Sequence, residues 1–342
     1  MNIITLCEKG YIPDPLIRFG ARRLSRRRLA EDGKLDPQQL QITLEARVRE
    51  WRNGPIAVAT QAANDQHYEV PPDFFLRALG SHLKYSCCYW DDTTASLDEA
   101  ERLMLEITAQ RAGIGDGQEV LDLGCGWGSF TLWAAQAYPG SRFTAMSNSA
   151  PQREFIEATA RQRGLSNVRV ITADINAFAP DQQFDRIVSV EMLEHVRNHA
   201  RLFARIASWL NPDGQFFAHV FCHHTLTYAY EDRGGDDWMS RHFFTGGMMP
   251  SYDLFTRYDE HLSVVERWWV DGHHYEKTSN AWLQRSDAQR EELIEILGGG
   301  EQGRLRLQRW RMFFLAVAEF FGIDEGREWG VGHYLFKPRR GD

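Results

Sequence analysis

The run VLDLGCGWGSF at residues 120–130 limits the possible folds more than any other stretch of the chain. Apolar residues lead into Asp122 and Leu123, and glycines follow at Gly124, Gly126 and Gly128. Glycine enters backbone regions closed to other residues and lets a ligand approach the main chain. The pattern predicts a buried strand that turns sharply into a helix. The surrounding chain alternates in the same way. EVLDLGC, RFTAMS, VRVITAD, DRIVSVE and GQFFAHVF read as short buried strands, and APQREFIEATARQRG and HARLFARIASWL read as the helices between them. Such alternation predicts an α/β fold with a doubly wound, mostly parallel sheet covered on both faces. Ligands in such a sheet bind beyond the carboxyl ends of its strands.

The spacing of the glycines separates two ligand classes. A dinucleotide loop wants Gly-x-x-Gly late in the turn and an acid about 20 residues on. Here the next strand ends in AMSNS, without an acid. An acid followed by Gly-x-Gly-x-Gly instead resembles the opening of class I methyltransferases that use S-adenosylmethionine. That donor carries a sulfonium and an ammonium group, and Asp122 suits one of these positive ends. Asp174, at the end of the third strand, is placed to accept from an adenine amino group. Ser147 and Gln152 stand where a ribose would be held. Trp127 either flanks the cofactor or packs. A bare strand-to-helix turn is the alternative reading of the loop.

A second cluster follows the strand FDRIVSV. SVEMLEHV puts Glu191, Glu194 and His195 within five residues. Carboxylates are costly to bury unless they are paired or used. A strand ending at Val190 delivers Glu191 to the ligand side of the sheet. If a helix begins there, Glu194 and His195 lie three and four residues on, over the same face. The competing reading is a helix first turn whose acids favour the dipole.

The flanks follow different patterns. Residues 1–115 look helical and would form an N-terminal cover. They include PQQLQITLEARVREWRNG and LDEAERLMLEITAQRAGIG, with Ser96 as a candidate cap. Residues 116–342 would hold the core, with a lid insertion at about 223–260 that is rich in aromatics, glycine and methionine. HLSVVERWWV and GHYLFKP read as two further strands, and RLQRWRMFFLAVAEFFG as an amphipathic helix.

Composition narrows the setting. A formal charge of −8 disfavours wholesale nucleic-acid binding. The chain has no apolar run of the ~18 residues a membrane span needs, and its start does not read as a signal peptide. The five cysteines fit no zinc spacing and suit free thiols in a reducing cytoplasm. The paired histidines His223–His224 and His273–His274 suggest no metal site, because neighbours on a strand face opposite ways. Arg18, Arg22, Arg23, Arg26, Arg27 and Arg28 form one basic cluster, either a solvated helix face or a patch for anionic lipid heads.

With these residues in view, the chain resembles the cyclopropane-fatty-acid synthase superfamily, and in particular its coclaurine N-methyltransferase branch. HYEVPPDFF, KYSCCYW, VLDLGCGWGS, SNSAPQREFI, VEMLEHV, FCHHTLTYAYED, FFTGGMMPS, GHHYEKTSNAWL and the C-terminal WRMFFLAVAEFFG carry the resemblance over nearly the whole length. It implies the class I S-adenosylmethionine methyltransferase fold, with a seven-stranded sheet and helical N-terminal and lid additions. It implies Tyr85 and Ser86 near the methionine part of the cofactor. In the synthases a bicarbonate ion is held by groups that correspond here to Cys87, Glu194, His219 and Tyr275. In the N-methyltransferases Glu191, Glu194 and His195 would face the amine.

Two chemistries follow from the resemblance. For an amine acceptor, Glu194 or His195 takes the proton and Glu191 attracts the cation, with Tyr68, Trp90 or Trp238 adding cation–π contacts. Arg311 would lie at the substrate pocket, paired with a site glutamate. For an unsaturated lipid acyl chain, bound bicarbonate removes a proton after methyl transfer. A non-catalytic scaffold that only binds the cofactor is the third reading. The expected partners are a small-molecule amine or an acyl chain and no nucleic acid, with an anionic membrane surface and a second copy of the chain as further candidates. N-methylation of a small amine is the favoured reading, because synthases typically lack an acid at the position of Glu191.

Overall fold

A computed structural model describes residues 2–32, 36–58, 70–230, 234 and 237–339. It divides into two compact units, Met1–Asp36, Val70–Leu103 and Asp271–Gly330 forming one, and Pro37–Glu69, Met104–Val270 and Val331–Asp342 the other. The units are built from interleaved segments, whereas the sequence reading drew one border after residue 115.

The second unit is built on a sheet. Its strands are β1 (Glu119–Leu123), β2 (Arg142–Ser147), β3 (Val168–Thr172), β4 (Phe184–Val190) and β5 (Leu210–His223), followed by a small pair, β6 (Tyr228–Ala229) and β7 (Met248–Met249), and then β8 (Leu262–Val270) and β9 (Trp329–Pro338). Seven of them lie in the order β3-β2-β1-β4-β5-β9-β8. β1 through β5 pair in parallel, and β8 runs antiparallel to β9. This is the mostly parallel sheet that the alternation predicts, with the seven strands that the resemblance implies.

Two cores flank the sheet because side chains alternate along each strand. Leu121, Ile187 and Phe216 point into one, and their neighbours Val120, Val188 and Phe217 into the other. The helix Pro37–Trp51 supplies Leu44, Val48 and Trp51, at four- and three-residue spacing, to the first core. The Arg197 guanidinium lies 5.4 Å from the Trp51 ring centroid. The Ile56 carbonyl accepts the Arg197 N–H at 2.8 Å. Residues 37–58 therefore belong with the sheet.

The first unit is helical. Its long helices Gly272–Ala288 and Gly300–Phe321 pack together, and the Ser279 hydroxyl donates to the Phe314 carbonyl at 2.9 Å. Trp310 packs between Phe74 and Phe314, at centroid distances of 4.7 and 5.7 Å. A Cβ on Gly303 would fall 2.2 Å from the Ile294 carbonyl oxygen, so only glycine allows that approach. Two members of the arginine cluster are internal pairs, since Arg18 and Arg22 both bind Glu319 at 2.8 Å. The helix Leu97–Ala112 begins as expected, with the Ser96 hydroxyl accepting the Glu99 N–H. Among the described residues no helix is long and apolar enough to cross a membrane.

Candidate active site

The glycine turn and the end of β4 meet at one cavity in the sheet unit, enclosing about 680 Å³ of empty space out to its mouth. Gly124 and Gly126 lie on its wall with positive φ of 90° and 52°. Open space lies where a Gly126 side chain would be, so a ligand can reach the backbone there. Gly128 plays another role. It is the left-handed cap of the helix Ser129–Ala137, and its missing Cβ makes room for Ile156.

The remaining walls come from the end of β2 and the helix that follows it, from the segments after β3 and β4, and from Ala57, Thr245 and Gly246. Ser147 and Gln152 are buried on the wall, and the Ser147 hydroxyl donates to Gln152 Oε1 at 2.6 Å. Gln152 Nε2 has no partner among the described residues, which leaves a buried donor for a ligand oxygen. Met146, Ile175 and Met192 add apolar wall. Sequence reasoning missed Ile175, Met192 and Thr245, since an apolar or small residue in a turn carries no chemical signature. Thr245 and Gly246 come from the segment expected to form the lid. The combination fits an adenosine group, with apolar faces for a flat ring, an amide donor for a hydroxyl oxygen and glycines beside the chain.

Two expected cofactor contacts look different in the structure. The Asp122 carboxylate lies buried in β1 rather than on the cavity wall, and accepts the Thr131 hydroxyl at 2.6 Å. Burial raises its pKa to about 6. Asp174 is exposed, and its Oδ1 accepts from Asn176 N at 2.8 Å while its neighbour Ile175 reaches the wall. Trp127 is buried and packs edge-on against Phe155.

The acidic cluster differs from the expected single helix face. Glu191 has a φ of 48°, a left-handed conformation that is uncommon for a non-glycine residue. Only a short 3-10 turn, Leu193–His195, follows, and the next α-helix waits until His199. This kink separates the three groups by role. His195 lines the cavity, and the surrounding protein lowers its pKa by desolvation, opposed by the charge of Glu191. Glu194 is buried, and its Oε1 accepts the Phe221 N–H at 2.7 Å. Burial first, and the charge of Glu191 second, push the Glu194 carboxyl well above the usual range. Glu191 Oε1 lies 3.3 Å from His219 Nε2. The three groups therefore interact, as the dense spacing suggests, but through a kink.

The mycolic acid cyclopropane synthetase family matches residues 58–325. The chain belongs to that family. It is 40% identical to the (S)-coclaurine N-methyltransferase of Thalictrum flavum subsp. glaucum, over 99% of this chain and 96% of that one. It is 33% identical to the cyclopropane-fatty-acyl-phospholipid synthase of Escherichia coli strain K12, over 64% of this chain and 55% of that one. The crystal structure of coclaurine N-methyltransferase bound to N-methylheliamine and S-adenosylhomocysteine superposes with a TM-score of 0.95 at 36% identity, covering 98% of each chain. The chain is thus an S-adenosylmethionine-dependent methyltransferase with the fold expected of that class.

Other expected site residues of this methyltransferase fall in the helical unit. The segment Lys84–Trp90 is fastened to the helix Gly272–Ala288, where Cys88 N donates to Thr278 Oγ1 at 3.1 Å and Trp90 N donates to His274 Nδ1 at 2.9 Å. Ser86 Oγ accepts from Lys84 Nζ at 2.5 Å. The Tyr85 ring packs on Trp282 and Phe75, and Tyr275 stacks on Phe321 at 4.3 Å. The Cys87 thiol is buried and donates to the Cys88 carbonyl at 3.3 Å. The Trp90 indole N–H donates to Thr278.

Arg311 corrects an expectation. It binds Asp287 and Asp14 at 2.5 and 2.7 Å, so its ion-pair partners among the described residues are aspartates of the helical unit rather than a site glutamate. In the sheet unit, Trp238 is buried against His242 and Phe243. Tyr68 lies outside the described residues.

Proposed function

We propose that this enzyme methylates the nitrogen of a small amine, with His195 as the base and Glu191 as the group that attracts and orients the cation. The observation that carries the proposal is that His195 lines the same cavity as the glycine turn. The names of the two coclaurine N-methyltransferases support it. Bound S-adenosylmethionine supplies a methyl group on a positively charged sulfur, open to backside displacement. The chain's own residues have two tasks.

The first is deprotonation. An alkylammonium has a pKa near that of lysine, about 10, and its nitrogen lone pair is unavailable until the proton leaves. Desolvation keeps His195 neutral, so its ring holds a lone pair at neutral pH. As the proton arrives, the negative field of Glu191 stabilises the imidazolium. The second task is positioning. Glu191 draws the ammonium in, and exclusion of water from the cavity strengthens that attraction. Glu194, held toward its neutral acid form, buttresses β5 and does not compete for the proton.

The bicarbonate reading fits less well. Glu194 Oε1 is engaged by Phe221, and the two ring nitrogens of His219 face Glu191 and His333. His219 is thus taken up on both ring nitrogens, and of the two groups only Glu194 Oε2 stands without a partner among the described residues.

The test supplies S-adenosylmethionine with a trideuterated methyl group and (S)-coclaurine to the purified chain, followed by mass analysis. An N-methyl product keeps all three deuteriums. A parallel reaction with unsaturated phospholipid vesicles reads the alternative, since a cyclopropane keeps two. Product in the second tube alone overturns the proposal.

A further inference from the structure

Four side chains form a hydrogen-bonded row that leads away from the methyl-transfer centre. Glu191 follows β4, His219 lies on β5, His333 lies on the adjoining β9, and Arg111 lies on the helix Leu97–Ala112. Glu191 Oε1 stands 3.3 Å from His219 Nε2, His219 Nδ1 stands 2.9 Å from His333 Nε2, and His333 Nδ1 stands 2.6 Å from an Arg111 amino group. Both histidines are fully buried. Their neighbours are largely aromatic. Phe217 meets the His333 ring edge-on, and the Trp268 ring centroid lies 4.8 Å from the Arg111 guanidinium.

The polarity of this row follows from its last member. A guanidinium only donates. His333 Nδ1 must therefore present its lone pair, and the ring proton sits on Nε2. That N–H points at His219 Nδ1, which must also accept. The His219 proton then sits on its own Nε2 and points at Glu191. We infer that Arg111 is a positioning residue which, through the fixed tautomers of His333 and His219, holds Glu191 as a permanent hydrogen-bond acceptor facing the amine. The inference rests on the reading of Glu191 as the carboxylate that attracts the amine.

A proton reaching Glu191 has no onward route through His219, because each ring nitrogen on that path already carries a proton or faces one. The row is a fixed dipole with its positive side toward Glu191, and it does not conduct protons. This leaves His195 to take the amine proton and keeps Glu191 charged through each turnover. The left-handed backbone of Glu191 is held by the same strand, since its N–H donates to the His219 carbonyl at 2.8 Å.

The test reads tautomers directly. Chain labelled with nitrogen-15 in its histidines gives multiple-bond proton–nitrogen spectra at pH 7, with assignment by His219→Gln and His333→Gln. The expected result is a proton on Nε2 and a bare Nδ1 for both His219 and His333. Arg111→Met should put protonated Nδ1 into the His333 signals, and Arg111→Lys should restore the single form. With (S)-coclaurine as acceptor, kcat should fall about 10–100-fold in Arg111→Met, the scale of loss when a partner that orients a metal-ligating side chain is removed, with most of it recovered in Arg111→Lys. A protonated Nδ1 on either ring in the unsubstituted chain overturns the inference, and so does an unchanged kcat in a folded Arg111→Met. The spectra need no acceptor, so failure of amine turnover counts against the proposed reaction, while the spectra still decide the row.

Discussion

The Phe221 N–H reaches Glu194 Oε1 at 2.7 Å and ties the turn after β4 to the end of β5. Glu194 Oε2 has no partner among the described residues. Together with the raised pKa, this describes a carboxyl that acts as a neutral hydrogen-bonding strut. Glu194→Gln keeps the acceptor oxygen and the volume, so turnover should stay within a few-fold of the unsubstituted chain. Glu194→Ala leaves the Phe221 N–H buried and unpaired, which should cost about 1–3 kcal/mol of stability. Turnover assays and urea unfolding on both variants check this. A Gln variant that folds normally but has lost turnover would make Glu194 the base instead.

His195 should show itself through the pH dependence of kcat/KM. Its pKa is lowered by desolvation, so the basic form persists through neutrality and the acid limb lies below about 6.5. The unsubstituted chain should therefore be nearly flat from pH 7 to 9. His195→Ala must wait for free amine, whose fraction rises about tenfold per pH unit up to the amine pKa near 10. That variant should lose about 10²–10⁴ in rate at pH 7 and climb steeply with pH. Equal loss at every pH would remove His195 from the proton transfer.

The glycines of the turn should separate by what surrounds them. Gly126 faces open space at a φ of 52°, so Gly126→Ala adds backbone strain of about 1–2 kcal/mol and a methyl group in the cavity. Its main effect should be at least tenfold weaker binding of S-adenosylhomocysteine, measured by calorimetry. A Cβ on Gly128 would lie 2.7 Å from Ile156 Cγ1, also at positive φ. Gly128→Ala should lower stability more, by about 2–4 kcal/mol, because strain and overlap add. Reversal of the order would show that the Gly126 wall is not where the cofactor lies.

The strands were legible because a sheet buried on both faces writes itself as short apolar runs. Leu121 and Val120 serve opposite cores, yet both must be apolar. The glycine turn was legible because its positive φ values admit little else. Partnerships across the chain were not legible. His219 and His333 are 114 residues apart, and neither HVFCHH nor GHYLFKP hints that their strands are neighbours. The helix Pro37–Trp51 declared an apolar face without declaring which core it joins. The kink at Glu191 was hidden because glutamate gives no sign that its backbone is left-handed.

Arg311 was placed at the substrate by resemblance, and its ion pairs give it a different test. It reaches Asp14, 297 residues away in sequence, and Asp287. Both pairs, the Asp287 hydrogen bond first, raise the guanidinium pKa further. Arg311→Met should leave two partly exposed aspartates without a counter-ion and lower stability by about 1–3 kcal/mol, less than a fully buried pair would lose. The KM for an amine acceptor should not change. A raised KM in a folded variant would return Arg311 to the substrate pocket.

His199 should control part of the acid stability. It is fully buried, one ring nitrogen meets the Leu193 carbonyl at 2.9 Å, and Nδ1 has no partner among the described residues. A second proton would therefore be buried without an acceptor, and desolvation lowers the pKa to about 4. The unfolded chain binds that proton near pH 6.5, so between about 6.5 and 4 it holds more protons than the folded one. The contribution is fully present above pH 6.5 and is lost as the pH falls toward 4. A shift of this size corresponds to about 3 kcal/mol. Other buried groups titrate in the same window, Asp122 with the opposite sign because its folded pKa is raised. The difference between the unsubstituted chain and His199→Phe isolates the histidine. Urea unfolding at pH 7 and pH 4.5 should show the unsubstituted chain losing more stability than the variant. Parallel losses would mean that the ring is protonated in the folded chain.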